Sequence, residues 1–207
     1  TLSSGFNSLA MMRQSAATAD FATAIGTTAW ADGKGSFAMG YSATAKGDQS
    51  IAIGAAETKK VASGYNTPSA KYNADGNTVT EGARSLAFGT KARTSAAATD
   101  SMAFGSNSTT SGANAVAVGN SANASANDAF AFGNTAQATG ANAIAMGRTA
   151  EAKQLNAIAL GGQAKALEAN ALAIGGKAEA SKAGTMAIGT AAKASSNNST
   201  AIGNGAE

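Results

Sequence analysis

The chain of 207 residues contains no cysteine, no histidine and a single proline. The missing cysteine excludes a disulfide or a thiolate site and is compatible with any redox compartment. The missing histidine removes the commonest general base, and the two absences together remove the usual zinc ligands. Carboxylates occur singly, with no pair arranged as acid and base, so no catalytic residue, metal or cofactor is expected. Large apolar side chains are scarce as well. Leu, Ile, Val and Phe together number 26, and most of the 44% hydrophobic fraction is alanine, which is thin for a packed domain. A net charge of +3, from 15 basic and 12 acidic residues, is too small to hold the chain open by self-repulsion. Something periodic must make a thin core sufficient.

Two further absences narrow the class. The basic residues are dispersed, Lys59 and Lys60 forming the densest pair, so the clustered basic face of a nucleic-acid binder is missing and no nucleic acid is expected as partner. No apolar run reaches 18 residues, no charged-then-apolar leader opens the sequence and no heptad segment occurs. Neither an export signal nor a membrane anchor is expected within these residues.

What the sequence does have is a repeat. A signature of small, apolar, Ala, apolar, Gly recurs from end to end, as in Ser36-Phe37-Ala38-Met39-Gly40 and Ser50-Ile51-Ala52-Ile53-Gly54. The closing glycines run from Gly26 to Gly203 at a spacing of 14, except for the steps Gly54 to Gly89 (35) and Gly89 to Gly105 (16). Ser8-Leu9-Ala10-Met11 keeps the phase with Met12 in the glycine position, which makes 13 copies. Apolar, Ala, apolar has period two and reads as a strand, while the flanking Gly, Ser, Asn and Thr read as turns. A second small pair follows each glycine, such as Ala136 and Ala138 after Gly133. Two short strands per repeat make one flattened coil. Stacked in register at about 4.8 Å, the coils form an all-β parallel solenoid of roughly 58 Å.

The alternation leaves open which column lies inside. The expected arrangement puts the paired large residues, such as Ile144 and Met146, in the coil interior and the invariant alanine between them outside. A strand face open to water would accept Thr, Lys or Glu, so the uniform alanine is read as a self-association seam: Ala38, Ala52, Ala103, Ala117, Ala131, Ala145, Ala159, Ala173 and Ala187. The alternative reverses the faces, with alanine inside a very narrow coil and the large residues between chains. Either arrangement demands a partner, because Phe130, Phe132 and Ile144 could not all face water. A thin core also calls for stapling by oligomerisation.

Four residues after each glycine an outward column ends in Glu151, Lys165, Glu179, Lys193 and Glu207. Alternating charges on adjacent coils favour correct register. Between Gly54 and Ser85, residues 55–84 replace the nine of a regular coil, an insertion of about 21. It holds Pro68, the basic pair Lys59 and Lys60, the aromatics Tyr65 and Tyr72, and an Asp75-Gly76 turn expected to close a hairpin between Lys71-Tyr72 and Thr78-Val79. Loops on rigid scaffolds are where binding residues gather. The two extra residues near 95–100 read as a turn variant. Gly33-Lys34-Gly35 lacks the remainder of a phosphate loop, and the nine-residue calcium-roll signature is absent. The sequons at Asn107, Asn123 and Asn198 are chance matches in Asn- and Ser-rich turns.

Ser50-Ile51-Ala52-Ile53-Gly54, Ala115-Val116-Ala117-Val118-Gly119 and Thr185-Met186-Ala187-Ile188-Gly189 resemble the YadA-like head repeats of trimeric autotransporter adhesins. The resemblance covers nearly the whole chain outside the insertion. It implies a left-handed parallel β-roll with 14-residue coils, assembled as a homotrimer. It also implies display from the outer membrane of a Gram-negative bacterium and binding to host extracellular-matrix or cell-surface ligands through the outer faces of the trimer. The neck, stalk and membrane barrel into which such heads usually continue have no counterpart here, so an excised head segment is expected, attached to the membrane only through segments absent from it. Trp30 and Tyr41 near one end, with Lys59, Lys60, Tyr65 and Tyr72 of the insertion, are the candidate ligand contacts, since aromatics are enriched at binding hot spots. The competing function is a structural spacer that projects another binding domain. An ice-binding face would need a flat Thr ladder, and a polysaccharide-processing solenoid would need a carboxylate or basic cluster.

Overall fold

The computed structural model describes residues 1–60 and 72–207. The chain forms a parallel β-solenoid of two 13-stranded sheets. Three-residue strands such as Ile144–Met146 and Ile158–Leu160 make the front sheet, and two-residue strands such as Gln137–Ala138 and Glu151–Ala152 make the back sheet. Each strand pairs in parallel with its equivalent one coil away: Ile144 opposes Ile158, Ala145 opposes Ala159 and Met146 opposes Leu160. A shift by one residue would exchange the two faces of every strand, so the pattern fixes the register.

The interior is made of small side chains. Apart from Val79, every buried hydrophobic residue among the described ones is alanine, and the largest fully buried side chains are threonine and serine. Four inward columns fill each coil. In one coil they are Ala136 and Ala138 on the back side and Ala143 and Ala145 on the front, all at 0% exposure. The two sheets therefore lie too close to admit Leu, Ile or Phe between them, and close packing is reached with methyl groups.

This reverses the expected faces. Ala38, Ala52, Ala103, Ala117, Ala131, Ala145, Ala159, Ala173 and Ala187 are each 0% exposed within the single chain, so they are its core and cannot form a seam with another copy. The uniform alanine does record a surface lying close against it. That surface is the chain's own opposite sheet. The large residues of the signature point outward instead, as Phe88, Phe104, Phe132 and Met146 do at 40–48% exposure.

From Ser50 to Thr110 the core turns polar, and hydroxyls replace the methyls in pairs. Ser50 and Thr80 lie 2.9 Å apart, Ser85 and Thr94 2.9 Å, and Ser101 and Thr110 3.0 Å. Each hydroxyl so paired avoids the cost of burying a polar group alone.

The turns explain the glycines. Gly147 has φ +137°, and its carbonyl accepts the Ala150 N–H at 3.2 Å, with Thr149 in the left-handed region at φ 55°. In the first coil Met12 takes the glycine position at φ 83°. Asn and Asp occupy many of the other left-handed sites, Asn142, Asn156 and Asn170 among them, where they are better tolerated than most residues.

The hairpin of the insertion differs from the expected one. Glu57–Lys60 pairs antiparallel with Tyr72–Asp75, Tyr72 opposite Lys60 and Asp75 opposite Glu57. Asp75-Gly76 therefore leads out of the hairpin. Val79–Thr80 is an ordinary back-sheet strand, parallel to Thr44–Ala45 and Arg93–Thr94. Its outward Val79 and inward Thr80 match the coil pattern, and this pairing outcompetes a local turn. The Ala56 N–H still donates to the Tyr41 carbonyl in coil phase at 2.9 Å, and Thr44 donates to the Thr78 carbonyl at 2.9 Å. Ala56 and Thr78 therefore both keep the coil phase, and the insertion of about 21 residues lies between them.

Candidate interaction surfaces

The front sheet presents two parallel columns of mostly large apolar residues to the outside, because its strands read large, Ala, large, with Thr23 and Thr200 the exceptions, and the alanine is turned in. Phe88 and Phe104, ladder partners in adjacent coils, stack with ring centroids 4.8 Å apart and planes 5° apart. Phe130 and Phe132 project side by side from one strand, centroids 6.4 Å apart. Ile51, Met102 and Met146 continue the stripe at 39–44% exposure. Such a stripe running along a whole rod is more than scattered surface hydrophobicity.

The back sheet is different. Its outward column runs Trp30, Thr44, Val79, Arg93, Thr109, Asn123, Gln137, Glu151, Lys165, Glu179 and Lys193 in successive coils. The charge ladder is in the expected register, Glu151 opposite Lys165 and Lys165 opposite Glu179. The Glu151 carboxylate takes its ion pair locally, from Lys153 at 2.8 Å. Trp30 is 52% exposed, between Ala16 and Thr44, and Tyr41 is half-buried on a turn. Lys59, Lys60 and Tyr72 lie on the hairpin strands, and Tyr65 lies outside the described residues. Trp30 and Tyr41 thus belong to neighbouring coils at one end, whereas the hairpin emerges from the turn two coils on.

Sequence reasoning gave no notice of the turn residues Phe6 and Phe21, whose rings meet edge-on at 5.8 Å and are 67% and 51% exposed. They stand outside the repeated signature, and their only sequence signal is a large aromatic where other coils carry small or polar residues. Arg84 and Asp100 form a two-pronged pair, both contacts at 2.6 Å. The hydrogen bond from Arg84 holds the Asp100 carboxyl below its ordinary range, and the same bond raises the Arg84 guanidinium. Among the described residues no group of three or more His, Cys, Asp or Glu is placed to hold a metal ion, and no helix is long and apolar enough to cross a membrane.

The family model for the YadA head domain repeat matches residues 3–29, 17–42, 31–56, 80–107, 96–122, 124–150, 152–178 and 180–206. The chain belongs to the YadA head domain family. The break in the matches, between 56 and 80, coincides with the residues that leave the coil phase. Heads of this family are surface-exposed bacterial adhesins, a non-enzymatic kind of protein. Among solved structures, the crystal structure of the collagen-binding domain of the Yersinia adhesin YadA is similar at 19% identity and a TM-score of 0.38, covering 97% of this chain and 68% of that one. No curated protein matches the chain significantly.

Proposed function

We propose that this YadA-type head is the adhesive part of a bacterial surface protein, assembled as a homotrimer and binding host extracellular-matrix or cell-surface ligands. The observation that carries the assembly is the front sheet. The single chain completes its core with alanine, leaving Phe88, Phe104, Phe132, Met146 and their neighbours outside, where a rod would not keep them in water. Three copies standing side by side with front sheets inward would bury both apolar columns and leave the polar back sheets and turns to face the ligand. Display beyond the outer membrane of a Gram-negative cell, through segments other than this one, follows from the same reading.

Ligand contact is proposed for the back face and its turns, with Trp30 and Tyr41 as anchors and the hairpin residues Lys59, Lys60 and Tyr72, together with Tyr65, as a second set. Trp30 is a rigid aromatic on an otherwise small and polar surface, the kind of residue that carries binding energy when covered. The test is binding of the purified segment to immobilised collagen, fibronectin and laminin, and to host cells. Saturable binding that is weakened by Trp30→Ala, with the mass of the assembly unchanged, is the expected result. An assembled head that binds none of these probes or cells would support the spacer reading instead.

A further inference from the structure

One aromatic ring stands apart from the other large side chains of the back sheet. Trp30 is 52% exposed, and the other exposed large apolar residue of that sheet among those described, Leu2, lies two coils away. The ladder neighbours of Trp30 are Ala16 below and Thr44 above, short side chains that leave half of the indole open. Past the strand the pairing continues, the Asp32 N–H donating to the Ala45 carbonyl at 2.8 Å and the Thr18 N–H to the Ala31 carbonyl at 3.0 Å. Asp32, two residues on from Trp30 along this extended backbone, therefore shares its face of the sheet. The Asp32 carboxylate is exposed and accepts from the Thr18 hydroxyl through Oδ1, while Oδ2 has no partner in the chain. Lys46, which follows Asp32 in the same column, is held by Glu81 of the coil beyond at 2.9 Å. On the other flank of Trp30 the Thr28 and Ser42 hydroxyls lie 2.7 Å apart.

We infer that Trp30 and Asp32 form a binding site for a neutral hexopyranose of a host glycan. The inference rests on the reading that the back face takes the ligand, and it names that ligand's chemistry. A hot spot for a protein partner gathers apolar neighbours around its aromatic anchor, and Trp30 has none. A pyranose ring needs none. One of its faces presents C–H groups, which settle on the electron-rich face of an indole, and its rim carries hydroxyls. A carboxylate only accepts, so the unpartnered Oδ2 of Asp32 takes a charge-assisted hydrogen bond from a hydroxyl on that rim. Thr28 and Ser42 supply hydroxyl oxygens on the opposite side. The same carboxylate repels sialic and uronic acids and sulfated sugars, which makes the site selective for uncharged ones. The surface is open and a single sugar is held weakly, so copies assembled in one head would gain affinity for a glycan-covered surface by multivalency.

Trp30 is the one tryptophan of the chain, so its emission reports on this site alone. The experiment follows that emission as the full 207-residue chain is titrated with lactose, with sialyllactose and with heparin, and repeats the comparison on an array of neutral and acidic mammalian glycans. Saturable binding of lactose or of neutral glycans on the array is expected, with the acidic probes bound more weakly. Asp32→Asn keeps the shape of the side chain and is expected to weaken neutral-glycan binding about ten-fold and to narrow the preference over sialylated probes, with circular dichroism and thermal melting unchanged. On the array Trp30→Phe should keep part of the signal and Trp30→Ala should lose it. Stronger binding of sialylated or sulfated probes, or an Asp32→Asn variant that binds neutral glycans as the wild type does, would overturn the inference. So would Trp30-dependent binding to matrix proteins or cells that survives enzymatic removal of their glycans while no neutral glycan is bound, and in that case the adhesive reading stands. A head that binds neither glycans, matrix proteins nor cells would overturn both.

Discussion

A Cβ placed on Gly147 would stand 2.4 Å from the carbonyl oxygen of Gly161, one coil above it. The same contact recurs along the column, where Gly133 meets Gly147 at 2.5 Å. Backbone, not a flexible side chain, fills the space, and φ is +137° at Gly147. Gly147→Ala is therefore expected to cost about 1–3 kcal/mol through strain and coil separation. Its thermal midpoint should fall well below that of Gly162→Ala, whose Cβ would meet nothing within 4 Å.

The narrow core makes a second outcome specific. Ala145→Leu would force a side chain between two sheets spaced for methyl groups, with overpacking of about 1–3 kcal/mol or more. Denaturant titration should show a lowered midpoint whether or not the chain associates. Were Ala145 on a seam between copies, the same change would alter the assembly and leave the melting of the single chain unaffected.

The Ser50 and Thr80 hydroxyls, 2.9 Å apart in the buried region, form one polar unit. Thr80→Val keeps the shape and leaves the Ser50 hydroxyl without that partner, at a cost of about 1–3 kcal/mol. Adding Ser50→Ala removes the orphan, so the double variant should be more stable than the sum of the two single changes. A thermodynamic cycle on the unfolding free energies checks this.

The Arg84 and Asp100 pair sets a modest dependence on pH. Hydrogen bonding from Arg84 depresses the folded-state pKa of Asp100. The stability it gives is therefore present above the unfolded carboxylate range and is lost as pH falls through the folded value. Both groups are exposed, so solvent and salt screen the effect. Asp100→Asn should remove a small, salt-sensitive part of the acid-side slope of the melting temperature, and leave the neutral-to-alkaline limb unchanged in shape.

Much of the architecture was legible in the sequence because it is written in one period. The spacing of Gly133, Gly147 and Gly161, with the apolar, Ala, apolar signature before each, gave the coil length, the two strands and the register. Period two separates the faces of a strand without saying which is inside, and that choice went the wrong way for Ala131 and Ala145. The deciding quantity is the spacing between the sheets, set by all four inward columns at once. The small pair Ala136 and Ala138 was visible and already implied a back wall lined with methyls, against which only methyls fit. The hairpin was misplaced for a related reason. Asp75-Gly76 is a strong local turn signal, but Val79–Thr80 gains parallel partners on both sides.

Alanine fills the chain's core, and the outer front stripe is the proposed seam between copies. Light scattering on the wild type and on the Phe88→Glu, Phe104→Glu double variant tests it most directly, with circular dichroism to follow the fold. The expected result is a wild-type mass three times 20.0 kDa and a folded variant of 20.0 kDa. A wild type that remains a folded 20.0 kDa species at every concentration, or a variant that keeps the full mass, would contradict it.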